Sequence, residues 1–235
     1  MAKIKQAYVC NDCGADFTKW QGQCTACKAW NTLTEVRLGS APAGGAQAAL
    51  RRSGYAGDAA SKGKVVSLSE VALAEMPRMG TGIGELDRVL GGGLVPGSAV
   101  LIGGHPGAGK STLLLQTMAE LVRQMPALYV TGEESLQQVA MRGKRLGLDV
   151  GELKMLSETN VETICDVADQ LKPKVIVIDS IQVMHVADVQ SAPGSVAQVR
   201  ESAAYLTRYA KQTGTVIFLV GHVTKDGSLA GPKVL

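Results

Sequence analysis

The stretch that most constrains this chain is Gly104-His105-Pro106-Gly107-Ala108-Gly109-Lys110-Ser111, set between the apolar run SAVLIGG (98–104) and STLLLQTMAELVRQM (111–125), which has helical spacing. A G-x4-G-K-[ST] sequence joining a buried strand to a helix is a phosphate loop, and the context is what gives the motif its meaning. Its glycines let backbone N–H groups converge on phosphate oxygens, and the N-terminus of the following helix adds a favourable field. Lys110 is placed to reach the β- and γ-phosphates and the Ser111 hydroxyl to ligate Mg(II), with Thr112 closing the nucleotide-binding run.

Apolar runs of the same kind recur at ALYVTG (127–132), PKVIVID (173–179) and TVIFLVGH (215–222), and with SAVLIGG they are expected to be strands buried on both faces. Between them, 135–147, 161–172 and 195–214 carry helical spacing and end at Gly or just before Pro. Strand and helix alternate, so the fold class is α/β: a largely parallel central sheet with helices on both faces. Asp179 ends one such strand, where a carboxylate can hold a nucleotide-bound magnesium through its water shell. Glu133 and Glu134 lie just past another strand; Glu133 is the preferred general base, with Glu134 solvated or opening the next helix. His222 ends the last strand and is a candidate γ-phosphate sensor, the alternative being a histidine that merely closes the strand.

Four of the chain's 5 cysteines fall in two tight pairs, Cys10-x2-Cys13 and Cys24-x2-Cys27. Each pair can sit on a turn that aims both sulfurs at one tetrahedral Zn(II), and four thiolates fill the coordination sphere, so the metal is expected to be structural. Two disulfides would instead require an oxidising compartment, for which no targeting segment is visible. Trp20 and Trp30 are expected to pack against the knuckles, the alternative being a stacking platform for a base or a partner side chain. Cys165 stands apart in an amphipathic helix and is expected to be an inert core residue.

Residues 39–64 are dominated by Gly, Ala and Ser and lack the apolar side chains needed to offset ordering entropy. They are expected to be a flexible linker between a zinc module, 1–38, and a domain over 65–235. Residues 1–64 carry 9 Lys and Arg against 4 Asp and Glu, but four thiolates on a divalent metal offset that excess, so charge alone does not establish nucleic-acid binding. No stretch approaches the ~18 consecutive apolar residues of a membrane span. A cytoplasmic location without membrane association is expected.

Taken together, the cysteine array, TGIGELDRVLGGGLVPGSAVLIGGHPGAGKSTLLLQ, YVTGEES, VIVIDSIQ and GHVTKDG resemble the RadA (Sms) family of bacterial DNA repair proteins, within the RecA/KaiC-like phosphate-loop ATPases. The resemblance runs through nearly the whole chain. It implies a RecA-like ATPase core, an ATP- and Mg(II)-dependent, DNA-dependent hydrolase that binds single-stranded and branched DNA, cooperation with the RecA recombinase, and homo-hexameric rings, some members driving branch migration as helicases. The family's Lys-Asn-Arg-Phe-Gly motif and Lon-like C-terminal domain are not found here, so the chain is expected to be an N-terminal fragment with a C-terminally truncated ATPase domain, weak in hydrolysis and assembly. By analogy with RecA, 184–200 and 223–235 would face the DNA, with Arg200, Lys225 and Lys233 as phosphate contacts. Two other readings are a KaiC-like phosphotransferase and a nucleotide-gated adaptor for DNA or RecA without motor activity.

Overall fold

A computed structural model of the chain describes residues 5–10, 15–38, 67, 77–189 and 191–222. The linker proposed at 39–64, Cys13, Lys225 and Lys233 lie outside the described residues.

Near the N-terminus, β1 (Lys5–Cys10), β2 (Asp16–Phe17) and β3 (Leu33–Leu38) form an antiparallel sheet in the order β2-β1-β3. The register sets Cys10 opposite Leu33 and Tyr8 opposite Phe17.

The rest is built on a five-stranded sheet. Its strands are β4 (Ala99–Gly104), β5 (Ala127–Thr131), β6 (Lys154–Ser157), β7 (Val175–Asp179) and β8 (Val216–His222). They lie in the order β4-β8-β7-β5-β6, and every pairing is parallel. The helices are α1 (Gly84–Val89), α2 (Lys110–Leu121), α3 (Leu136–Arg145), α4 (Val161–Leu171) and α5 (Val196–Thr213).

Strand side chains alternate between faces, and the alternation sorts the core into two layers. Tyr129, Val175, Val177, Phe218 and Val220 pack with Leu114, Leu115 and Met118 of α2 and Val139 of α3. Leu128, Val130, Ile176, Ile178, Ile217 and Leu219 pack with Ile164 of α4 and Tyr205, Leu206 and Tyr209 of α5. Burial on both faces is why β5 and β7 read as unbroken apolar runs.

Local chemistry sets the ends of the helices. Ser135 caps α3 in a reciprocal box with Gln138, Asn160 caps α4, and Ser195 caps α5. Gly214 closes α5 in the left-handed conformation.

Three differences from the sequence reading have physical causes. SAVLIGG is a strand, yet β4 is an edge strand whose residues alternate between exposed and half-buried, so it is not covered on both faces. Helix α2 stops at Leu121 rather than Met125; a turn in which Gln124 and Met125 N–H both donate to Leu121 O follows it, and Pro126 has no N–H with which to continue the ladder. Strand β6, KMLS, has too short an apolar run to be noticed and is held by pairing to β5.

Candidate functional site

Register brings the carboxyl ends of four strands together. Gly104 lies opposite His222, and Thr131 opposite Asp179. Two-residue alternation puts Asp179 on the face of Val175 and Val177, and His222 on the face of Phe218 and Val220. Both functional side chains therefore stand on the side of the sheet covered by α2, the helix that opens with Lys110.

The loop ahead of α2 is concave and open. Gly107 and Gly109 have φ of +80° and +84°, and a Cβ built on either would meet nothing within 4 Å. Lys110 is only 8% exposed, and its Nζ donates to Gly104 O at 2.8 Å and His105 O at 2.9 Å. An ammonium buried in a cradle of turned backbone is suited to a polyphosphate, which would supply the opposite charge. Ser111 and Thr112 follow it in the first turn, half-buried.

Asp179 is 7% exposed. The Tyr129 hydroxyl donates to its Oδ2 at 2.6 Å, which leaves Oδ1 for a further ligand. Burial, then the neighbouring Asp179 carboxylate, push the Tyr129 phenol far above its ordinary range, so it stays a donor. Tyr129→Phe keeps the ring but strips a buried carboxylate of a charge-assisted hydrogen bond, a loss of about 1.5–3 kcal/mol. Denaturant unfolding should show a lower midpoint at unchanged slope.

Glu133 and Glu134 are separated by the turn they share. Gly132 N–H donates to Asp179 O at 2.8 Å, and a Cβ on Gly132 would stand 2.5 Å from Val183 Cγ2. Only glycine admits this approach of the β5 and β7 ends, and it carries Glu133 to Ser180. The Ser180 hydroxyl donates to Glu133 Oε1, and His222 Nε2 lies 3.2 Å from the same oxygen and 3.4 Å from Oε2. The Asp179–Ser180 peptide is cis. Glu134 turns the other way: both its oxygens accept from Arg142 of α3, and Thr131 Oγ1 closes the turn by donating to Glu134 O at 2.8 Å.

In the N-terminal sheet, the sulfurs of Cys10, Cys24 and Cys27 all lie within 4.8 Å of one another. The Cys10–Cys27 Sγ separation is 3.6 Å, close to the ~3.8 Å edge of a tetrahedron with ~2.3 Å metal–sulfur bonds. Matching turns present two of them: Cys10 N–H donates to Ala15 O at 2.9 Å and Cys24 N–H to Ala29 O at 2.8 Å. Thr32 Oγ1 sits 3.1 Å from Cys10 Sγ. This donor set fits a thiophilic divalent metal. The two tryptophans are largely exposed, Trp20 at 58% and Trp30 at 69%; the small buried cluster of Cys10, Cys24 and Leu33 is packed instead by Tyr8, Ala15 and Phe17.

Arg200 is exposed on α5, and no hydrogen bond or ion pair among the described residues links it to this cluster. Cys165 is buried in the layer under α4 and α5, and burial first, then Asp169, push its thiol well above its usual range. Tyr129, Ser180 and Arg142 were not anticipated from sequence. The one available signal was a hydroxyl-bearing tyrosine inside a fully buried strand, which must find a partner.

The comparisons agree with this geometry. The family described as "AAA domain" matches residues 79–228, and the family described as "Rubredoxin metal binding domain" matches residues 8–35. Over the whole chain, similarity is 69% identity to "DNA repair protein RadA" of Haemophilus influenzae, covering 50% of that protein. It is 67% to the protein of the same name in Escherichia coli, covering 51%, and 46% to that of Bacillus subtilis, covering 50%. The chain thus spans about half the length of these curated relatives. With a parallel α/β sheet, a phosphate loop at its carboxyl edge and a match over residues 79–228, the chain belongs to the AAA domain family of phosphate-loop ATPases, and the relatives it matches along its whole length are RadA proteins.

Proposed function

We propose that the chain binds ATP with Mg(II) and hydrolyses it as the ATPase part of a DNA-dependent motor in recombinational repair. That motor binds single-stranded DNA and processes or branch-migrates recombination intermediates with RecA. The observation that carries this reading is the convergence, at one sheet edge, of an open phosphate loop, the strand-end carboxylate of Asp179, and Glu133 held between Ser180 and His222. The repair assignment is supported by what the relatives are called.

In this reading, backbone N–H groups of 104–112 and the Lys110 ammonium hold the β- and γ-phosphates, while Ser111 and Asp179 hold the magnesium. A magnesium ion held by these two residues would supply positive charge against the phosphates. Glu133 orients a water and accepts its proton. His222, beside both Gly104 and Glu133, registers the γ-phosphate and passes the change to the chain that follows it. Arg200, Lys225 and Lys233 meet DNA phosphates. The chain is organised as a zinc module over 1–38 held by Cys10, Cys13, Cys24 and Cys27, a linker over 39–64 and the ATPase domain over 65–235. The longer protein forms hexameric rings in the cytoplasm. No described helix is long and apolar enough to cross a membrane.

Nucleotide and single-stranded DNA binding should be measured with and without Lys110→Ala. Loss of a charge-assisted contact to phosphate should weaken ATP binding by about 10- to 150-fold and abolish any ATP-induced gain in DNA affinity. ATP bound equally by both proteins would overturn the assignment of the loop.

A further inference from the structure

The two largest apolar side chains of the metal module are on its outside, and they are together. A Cβ placed on Gly22 would lie 3.8 Å from Trp30 Cζ3 and 3.9 Å from Trp20 Cη2. The two indoles thus border one surface, both within van der Waals reach of a Cβ at Gly22. The backbone fixes their spacing: Asn31 N–H donates to Gly22 O at 2.7 Å, and Gln23 pairs with Trp30 in an antiparallel bridge. Gln23 Nε2 donates to Lys28 O at 2.8 Å, closing the second turn on itself. This is a preformed face rather than two independent side chains.

The charged side chains nearest the two indoles in sequence are lysines. Lys19 precedes Trp20, Lys28 comes two residues before Trp30, and both lysines are exposed. Residues 17–34 contain neither Asp nor Glu. Aromatic faces beside ammonium groups, with no carboxylate to repel phosphate, complement a strand whose bases are unpaired: bases stack on indole and the intervening phosphates pair with lysine. A duplex offers no free base face, and an acidic peptide would use the lysines but leave the indoles exposed.

We propose that Trp20 and Trp30, with Lys19 and Lys28, form a stacking site for single-stranded nucleic acid on the metal module, additional to the phosphate contacts of the ATPase domain. The proposal deepens the single-strand reading above and shares its premise that the chain acts on unpaired strands. The site is indifferent to sequence, because every base has a stacking face, and it does not respond to ATP, because it touches no part of the phosphate loop.

The chain's 2 tryptophans are both in this face, so intrinsic emission reports on it without a label. The metal-loaded chain is titrated with oligothymidylate while the anisotropy of a labelled copy of the oligonucleotide is followed. Quenching of emission should saturate with the anisotropy and weaken as salt rises. Trp20→Ala or Trp30→Ala should each raise the dissociation constant by about 5- to 150-fold, with metal content unchanged. Trp30→Phe, which keeps a ring, should retain most of the binding and shows that an alanine effect is not a folding defect. Binding by anisotropy with silent emission and unaffected alanine variants would overturn the site, leave the single-strand reading intact, and assign the face to a protein partner. No oligonucleotide binding by any form would overturn the single-strand reading itself.

Discussion

Glu133→Gln lowers ATP hydrolysis by about 10²- to 10⁴-fold, the usual contribution of a positioned general base, and leaves ATP affinity unchanged. The two effects separate because glutamine keeps an acceptor oxygen where Ser180 and His222 need one, so the strand ends stay assembled while the group that takes the water's proton is gone. Single-turnover hydrolysis beside equilibrium binding of a fluorescent ATP analogue reads both quantities. Glu134→Gln is the internal contrast. That carboxylate is committed to Arg142, whose side chain is 14% exposed, so its loss leaves a largely buried guanidinium without its counter-charge. Glu134→Gln should lower the unfolding temperature and leave the hydrolytic rate near that of the parent. The opposite pattern, with Glu134→Gln silencing hydrolysis and Glu133→Gln active, would move the base to Glu134.

His222 tests the same geometry from its far side. It touches Glu133, and its strand neighbour Gly104 starts the phosphate loop, so the residue spans the two places where a γ-phosphate would be sensed and water activated. On the proposed reading, a rearrangement of Glu133 on nucleotide binding would reach His222 directly, through one side chain rather than through the core.

Local chemistry made the phosphate loop, the parallel sheet and most helix ends legible in the sequence, because each rests on residues within a turn of one another. Ser135, Asn160 and Ser195 cap the helices they precede, and GHPGAGKS occupies the junction of β4 and α2. What depends on strand order was not legible. Tyr129 and Asp179 are 50 residues apart, and Ser180 and Glu133 are 47 apart; only the β7–β5 pairing makes them neighbours. The different surroundings of Glu133 and Glu134 were hidden for the same reason, since they depend on Arg142 on one side and on Ser180 and His222 on the other. The degree of exposure of the tryptophans was not legible either. In the N-terminal sheet the buried cluster is Cys10, Cys24 and Leu33, with Tyr8, Ala15 and Phe17 packed against it, and Trp20 and Trp30 lie on the outside.

That small cluster makes the consequence of metal removal large. Chelation, or Cys24→Ser, should unfold residues 5–38 while leaving ATP binding intact. A segment of this length buries too little apolar surface to fold alone, and structural zinc supplies on the order of 10–16 kcal/mol in comparable small modules. The three sulfurs within 4.8 Å of one another would be tied together by one cation, and removing it removes those bonds. Trypsin provides the readout. Lys28 is exposed but sits in the turn fixed by the Gly22–Asn31 and Cys24–Ala29 backbone bonds, so it should resist cleavage with metal bound and be cut rapidly without it. The five-stranded sheet draws its core from its own two layers and none from the cysteine module. Its denaturant midpoint and its affinity for ATP should therefore be the same in metal-loaded and metal-free protein. A metal-free chain that keeps Lys28 protected would mean that contacts other than the thiolates hold the module together. A fall in ATP affinity on chelation would mean that the module and the phosphate loop are energetically coupled.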